Sequence, residues 1–287
     1  MQIIRTVKDI AAFSKETRGQ GGSIGFVPTM GYLHKGHLSL VKRAKEENET
    51  VVVSIFVNPL QFGPNEDYDR YPRDEERDLA LLRDAGVDAV FLPSVQEMYP
   101  HGKPLATVTV SGITEPLCGA SRPGHFDGAA TVVLKLFHLV SPDKAYFGMK
   151  DAQQVAVIER MVLDLNVPVS IVRCPTLREE DGLAMSSRNV YLTEAERRQA
   201  PALYHALETA GRLLAERPGL NAGELAKELR DFLEASAPAG TIDYAEVLSY
   251  PDLAPISGAL QKAKPFIVAL AVKFSKARLI DNRLFAE

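Results

Sequence analysis

The 287-residue sequence predicts an α/β fold, an open parallel sheet in the first part followed by a smaller α+β domain. Three observations carry this. Short β-rich runs alternate with helical patterns through the first half, the order of an open α/β fold. Several of these runs are continuously apolar, as in VVVSIFV (51–57), which is what strands buried on both faces look like. After about residue 178 the order changes to helices followed by strands.

The predicted strands of the first part are 23–29, 51–59, 88–94, 106–110, 145–148 and 169–175, and the predicted helices between them are 37–48, 74–85, 128–140 and 151–163. In the second part, Thr193 and Glu196 form a capping box that opens a helix with Leu203, Leu207, Ala210 and Leu214 on one face. Asn221 and Glu224 offer a second start of the same kind. β-like runs follow at 242–250, 265–274 and 277–285, the last two placed for a hairpin across Ser275 and Lys276. The domains are therefore expected at 1–176 and 177–287, joined near 176–192.

The length suits one large or two modest domains. Formal net charge is −4 and the isoelectric point is near 5.9, with no basic stripe, so no electrostatic case for nucleic-acid binding arises. Cys118 and Cys174 are far apart and make no CxxC pair, which predicts a reduced, cytoplasmic setting with both as small core residues. The N-terminus, MQIIRTVKDI, meets charge too early for a signal peptide. The longest apolar runs, 51–57 and 266–272, are too short to span a membrane.

Chemistry concentrates in loops. In PTMGYLHKGHLSL (28–40), a strand ends at Pro28 and a helix pattern follows, so His34 and His37 stand at a helix N-terminus. Free N–H groups and the helix dipole favour an anion there, and Gly31 and Gly36 let the backbone turn and approach a ligand. Imidazoles at that place add hydrogen bonds or positive charge for a phosphate. A metal pair is the alternative, although a structural zinc wants four ligands and no cysteine is near.

AYFGMKDAQQ (145–154) repeats the geometry: a strand into Gly148, then Lys150 as a point charge and Asp151 as ligand contact or helix cap, with Gln154 about one turn on. LAMSSRN (183–189) is either a triphosphate-gripping loop with Arg188 as the fork or a linker turn. In the amide-rich stretch 56–74, Asn58 and Gln61 are candidates for a polar, uncharged part of a substrate. Arg122 and His125 precede the helix at 128–140 and read equally as functional or structural. The acidic run from Asp74 to Asp78 reads as a magnesium site or a solvated first helical turn.

PTMGYLHKGH, SIFVNPLQFGPNEDYDRYPRD, SRPGHFDGAATVVLKLF, FGMKDAQQ and DGLAMSSRN, in this order and spacing, resemble the successive motifs of the pantoate–β-alanine ligase family from about residue 3 to 200. HxGH and MSSR are also similar to the HIGH and KMSKS signatures of the wider nucleotidyltransferase group. The resemblance implies a Rossmann-like N-terminal domain, a smaller C-terminal lid and a homodimer. It implies ATP with Mg2+, (R)-pantoate and β-alanine as substrates, and pantothenate, AMP and pyrophosphate as products. It places Met30, Gly31, His34, Gly36, His37, Gly148, Met149, Lys150, Asp151, Leu177, Met185, Ser186, Ser187 and Arg188 at ATP, with His37 as proton donor. It places Gln61 and Gln154 at pantoate, Gln61 also near β-alanine. One departure is Met149, where many relatives carry an acidic residue; a backbone contact survives that change.

Such a ligase must turn a carboxylate into an acyl donor by attack on the α-phosphate of ATP. Negative charge then builds on the departing phosphates, which assigns stabilisation to His34, His37, Lys150 and Arg188. Whether His37 transfers a proton or only stabilises charge stays open, as do the protein ligands of Mg2+. The rival readings are a nucleotidyltransferase acting on a phosphorylated acceptor, against which the uncharged amides at 58 and 61 argue, and a non-catalytic nucleotide-binding module.

Overall fold

The computed structural model describes residues 1–64, 66–261 and 263–286; Asn65, inside the amide-rich stretch, lies outside them. The chain forms two compact units. The first comprises residues 1–110, 122–149 and 157–175, the second 111–121, 150–156 and 176–287.

In chain order the first part contains β1 (Gln2–Ile4), α1 (Val7–Gly19), β2 (Ile24–Thr29), α2 (Lys35–Glu47), β3 (Thr50–Ile55), α3 (Glu75–Asp84), β4 (Ala89–Phe91) and α4 (Val95–Met98). It continues with α5 (Cys118–Ser121), α6 (His125–Val140), β5 (Lys144–Gly148), α7 (Ala152–Asp164) and β6 (Ser170–Cys174). The six strands make one sheet in the order β1-β4-β3-β2-β5-β6 with every pairing parallel. Val51, Val52 and Val53 of β3 are fully buried, as the apolar run predicts. On one face of the sheet, Val27, Val51, Val53 and Val90 pack with Leu40, Val41 and Ala44 of α2 and Leu79 and Leu82 of α3. This is the open α/β sheet of the Rossmann-like type read from the sequence.

Three local readings change. ATVTV (106–110) forms no strand: it runs along the surface, with Val108 N–H donating to the Thr131 hydroxyl at 2.8 Å. β-propensity becomes a strand only where a partner edge exists. β1 and α1 have no counterpart in the sequence reading because β1 is three residues long and α1 buries only Ile10 and Ser14, too sparse for a clear period. Helices also begin at their caps rather than at their first apolar residue, so α2 starts at Lys35 and α6 at His125.

Besides α5 and the start of α7, the second unit holds α8 (Glu194–Gln199), α9 (Ala202–Glu216), α10 (Ala222–Ser236), β7 (Thr241–Ser249), β8 (Phe266–Lys273) and β9 (Arg278–Phe285). The strands form an antiparallel sheet in the order β7-β8-β9. The hairpin lies where the sequence puts it: Lys273 pairs with Arg278, and Phe274 N–H donates to the Ala277 carbonyl at 2.8 Å. Leu203 and Leu207 of α9 and Leu225, Leu229 and Leu233 of α10 pack against Phe266, Val268 and Leu270. The Thr193–Glu196 box is formed, but it opens only α8. The apolar stripe from Leu203 belongs to α9, because Pro201 lacks the N–H that would continue the ladder and becomes the cap of a new helix.

Candidate active site

In the first unit, β2 is the point where strand order reverses, with β3 on one side and β5 on the other. Ligands of open α/β sheets bind outside the carboxyl ends of strands at such a point. β2 pairs with β5 through Gly25–Lys144 and Phe26–Ala145. Carried along both strands, that register puts the ends Thr29 and Gly148 at one level. The sequence motifs at 28–37 and 148–151 thus leave neighbouring strands at the same end of the sheet.

The β2–α2 loop turns through Gly31 and Tyr32, both left-handed, with φ of 84° and 49°. A side chain at Gly31 would place its Cβ 2.8 Å from Ile55 Cγ2 and 3.1 Å from Asp78 Oδ2, so glycine is required there. Asp78 of α3 explains the proximity. Its carboxylate accepts Tyr32 N–H and Leu33 N–H, each at 2.7 Å. Burial pushes the Asp78 carboxyl up, and these two bonds work against that shift. Arg77 donates to the Leu33 carbonyl at 2.8 Å and lies over the Tyr32 ring. The acidic run therefore divides: Asp74 caps α3 by accepting Arg77 N–H at 3.1 Å, and Asp78 anchors the histidine loop. The anchor escapes a sequence reading because Asp78 is 45 positions from Leu33; its one signal is an acid at a position on α3 that the helix buries.

His34 is the N-cap of α2. Its Nδ1 accepts Gly36 N–H at 3.1 Å, and His37 Nδ1 accepts His34 N–H at 3.3 Å. The rings lie 4.0 Å apart between centroids. Because each Nδ1 is an acceptor, the network assigns both imidazoles as neutral with the proton on Nε2. This revises one expectation: Gly36 N–H is not held out to a ligand but is taken by His34. The helix N-terminus polarises the imidazoles, whose donor atom in this tautomer is Nε2. A neutral imidazole backed by a helix N-terminus is a known way to make an electrophilic hydrogen-bond donor.

Gln61 is buried in a short 3-10 turn at Pro59–Gln61, capped by Asn58 accepting Leu60 N–H at 3.3 Å. Asn58 is fully buried. Its Nδ2 donates to Gln61 Oε1 at 3.1 Å and to the Gly128 carbonyl at 3.0 Å, and its Oδ1 accepts the Tyr99 hydroxyl at 2.8 Å. The side chain expected to touch substrate is buried and instead orients Gln61 by holding its side-chain oxygen. Gly128 of α6 makes the approach possible: a Cβ there would lie 2.1 Å from the Leu60 carbonyl oxygen. Arg122 and His125 contact the main chain of Gln61.

In the second unit, Lys150 lies in a 3-10 turn at Met149–Asp151, its carbonyl accepting Asn282 Nδ2 of β9 at 2.8 Å. Lys150 and Ser186 line one small cavity of about 10 Å³, together with Asp281. Met185 N–H donates to the Leu177 carbonyl at 3.0 Å, which brings two of the predicted ATP residues side by side. Ser186 caps the turn Ser187–Tyr191 by accepting Arg188 N–H at 3.2 Å, so the hydroxyl loop is also a built turn. Asn189 ties it to Glu179 at 3.0 Å. Of the two glutamines on α7, Gln153 is committed internally, accepting Cys118 N–H at 3.0 Å and donating to the Ile113 and Pro116 carbonyls. Gln154 is half-buried and Asp151 exposed. Among the described residues no group of three or more His, Cys, Asp or Glu is placed to hold a metal ion.

The sequence model of pantoate-beta-alanine ligase matches residues 2–284. The chain is 55% identical over 288 residues to the pantothenate synthetase of Pelotomaculum thermopropionicum, covering 100% of both. It is 57% identical over 287 residues to that of Halalkalibacterium halodurans, covering 98% of each. A crystal structure of pantoate-beta-alanine ligase (pantothenate synthetase) from Thermus thermophilus superposes with a TM-score of 0.92 at 49% identity over 100% of both chains. A ligase from Francisella tularensis, complexed with β-γ ATP and β-alanine, superposes with a TM-score of 0.79 at 37% identity, covering 99% of this chain and 97% of that one.

Proposed function

The chain belongs to the pantoate–β-alanine ligase family, and from that premise we propose that it joins (R)-pantoate to β-alanine using ATP, through a pantoyl-adenylate. In the first step a pantoate carboxylate oxygen attacks the α-phosphorus, the bond from that phosphorus to the bridging oxygen breaks, and pyrophosphate leaves. In the second the β-alanine nitrogen attacks the acyl carbon, the bond to AMP breaks, and the amine gives up a proton. The products are pantothenate, AMP and pyrophosphate.

The observation that carries this reading is the pair of neutral imidazoles at the end of β2, each with Nδ1 taken by a backbone N–H. Their Nε2–H groups suit oxygens that gain charge as pyrophosphate departs. A donor aimed at developing charge is worth about 3–4 kcal/mol in the transition state. In this reading His37 acts as a charge-stabilising donor, since a second proton would have to displace the backbone N–H at Nδ1. By the family resemblance, Lys150, Ser186, Ser187 and Arg188 are assigned to phosphate contacts, and Met30, Gly148, Met149, Asp151, Leu177 and Met185 to other contacts with ATP. Gln61 and Gln154 are assigned to pantoate, where an amide donor reads hydroxyl or carboxylate oxygen without adding charge.

Magnesium enters with ATP. It keeps several waters and binds chiefly through phosphates, which suits a protein offering no dedicated carboxylate cage among the described residues. The reading also takes residues 1–176 as the nucleotide- and pantoate-binding domain and 177–287 as a smaller α+β domain. A homodimer and a cytoplasmic setting belong to it. The free, buried thiols of Cys118 and Cys174 support the latter, and no described helix is long and apolar enough to cross a membrane.

The test is pyrophosphate release from ATP, magnesium and pantoate. A single-turnover burst without β-alanine that becomes sustained turnover with it supports the two-step ligase. Release that requires β-alanine from the first turnover rules out the free-standing adenylate.

A further inference from the structure

We propose that Arg122, His125 and Glu66 form a clamp on the main chain of Gln61, making Arg122 and His125 positioning residues that set the amide reading pantoate. The proposal rests on the assignment of Gln61 to pantoate.

The geometry is over-determined. His125 Nδ1 lies 2.8 Å from the Gln61 carbonyl, and a carbonyl only accepts, so Nδ1 carries the proton. His125 Nε2 lies 3.0 Å from Arg122 Nη1, and a guanidinium only donates, so Nε2 is the acceptor. The imidazole is therefore held neutral as the Nδ1–H tautomer by its two neighbours. Arg122 Nη2 reaches the same Gln61 carbonyl at 3.3 Å. The guanidinium is itself gripped by Glu66, with Nε–Oε1 at 2.7 Å and Nη2–Oε2 at 2.5 Å, a two-pronged pair. Burial alone would raise the Glu66 carboxyl, but the Arg122 fork outweighs it and holds it low. Both Arg122 and Glu66 have side chains less than a quarter exposed, so the pair is shielded more than a surface ion pair.

The clamp acts on the backbone, while Asn58 acts on the Gln61 side-chain oxygen. The two together leave the amide one orientation. A turn that follows a strand end has no ladder to fix it, and a reading group displaced by about 1 Å can cost up to a hundredfold. This accounts for the Arg-Pro-Gly-His stretch that opens α6, whose guanidinium and imidazole the pantoate and ATP contacts do not otherwise use.

The experiment measures KM for pantoate and for ATP, kcat and Tm in full-length His125→Ala, His125→Asn and Arg122→Lys, each alone and combined with Gln61→Ala. Expected is a ~10-fold or greater rise in pantoate KM for His125→Ala and Arg122→Lys, with ATP KM within about twofold. His125→Asn, whose amide can donate to the same carbonyl, should recover most of the loss. In the Gln61→Ala enzyme neither change should raise pantoate KM further, an outcome general destabilisation would not produce. The clamp is overturned if His125→Ala raises pantoate KM by the same factor with and without Gln61. It is equally overturned if pantoate KM stays unchanged in His125→Ala and Arg122→Lys while Gln61→Ala raises it. A Gln61→Ala enzyme with normal pantoate KM would instead remove the assignment of Gln61 itself.

Discussion

Asp78 on α3 receives the backbone N–H groups of Tyr32 and Leu33 on its two carboxylate oxygens, each at 2.7 Å. The histidine loop is thus held by a helix from elsewhere in the chain. Replacement by Asn leaves one oxygen and turns an NH2 toward the other N–H. Leaving one buried donor unsatisfied costs about 1–3 kcal/mol. Asp78→Asn is expected to lower Tm and slow the pyrophosphate burst together; a burst at the parent rate would show that the loop holds its shape without this anchor.

His34 has two separable jobs, capping α2 through Nδ1 and offering Nε2–H. Asn is a good cap but has no group at the Nε2 position. His34→Asn should keep Tm near the parent value while adenylate formation falls by roughly a hundredfold. His34→Ala should lose activity and also about 1 kcal/mol of stability. Equal activity in the Asn and parent enzymes would refute the donor role.

His37→Ala and Lys150→Ala should fold and yet lose roughly a hundredfold or more in the single-turnover adenylate step. Rapid-quench measurement of AMP-linked product separates that step from amide formation. A defect confined to the β-alanine step would assign these groups to the second half-reaction.

Gly128→Ala puts a methyl 2.1 Å from the Leu60 carbonyl oxygen and 2.8 Å from Gln61 N. Backbone must move, at a cost of about 1–3 kcal/mol. The expected signature is a lower Tm with pantoate KM raised more than ATP KM. Thermal melts and paired titrations read both.

Asp243 in the second unit accepts from Ser121 at 2.6 Å and pairs with Lys273 and Arg278. Burial opposes its charge, but these three partners hold the carboxyl down to about 2 from an ordinary 3.8. A depressed carboxylate stabilises the fold above its unfolded value and loses that contribution as pH falls through the folded one. The contribution, about 2 kcal/mol, should disappear between about pH 4 and pH 2. Asp243→Asn should flatten this part of the stability profile in urea titrations; an unchanged acid limb would place the loss elsewhere.

What can be read from the chain alone follows from what local pattern encodes. Strands such as Thr50–Ile55 declare themselves by continuous apolar residues, and the boxes at Thr193 and Asn221 declare helix starts, because both signals span only a few positions. The motif loops are legible for the same reason: glycine, histidine, lysine and serine stand together in sequence where strands end. ATVTV misleads because alternation does not say whether a partner edge will be present.

The sequence by itself thus determined the alternation of strands and helices in the first part, the helices and hairpin of the second, and the loops where glycine, histidine, lysine and serine stand together. Tertiary structure alone decided how those residues are aimed. Asp78 meets Leu33 across 45 positions, and Asn58 meets Gly128 across 70. No short-range pattern encodes such pairs; they exist only once the sheet has set its strand order and α3 and α6 have packed. The tautomers of His34, His37 and His125 were likewise beyond reading, because a proton's place on an imidazole depends on which donor or acceptor the folded chain puts opposite each nitrogen.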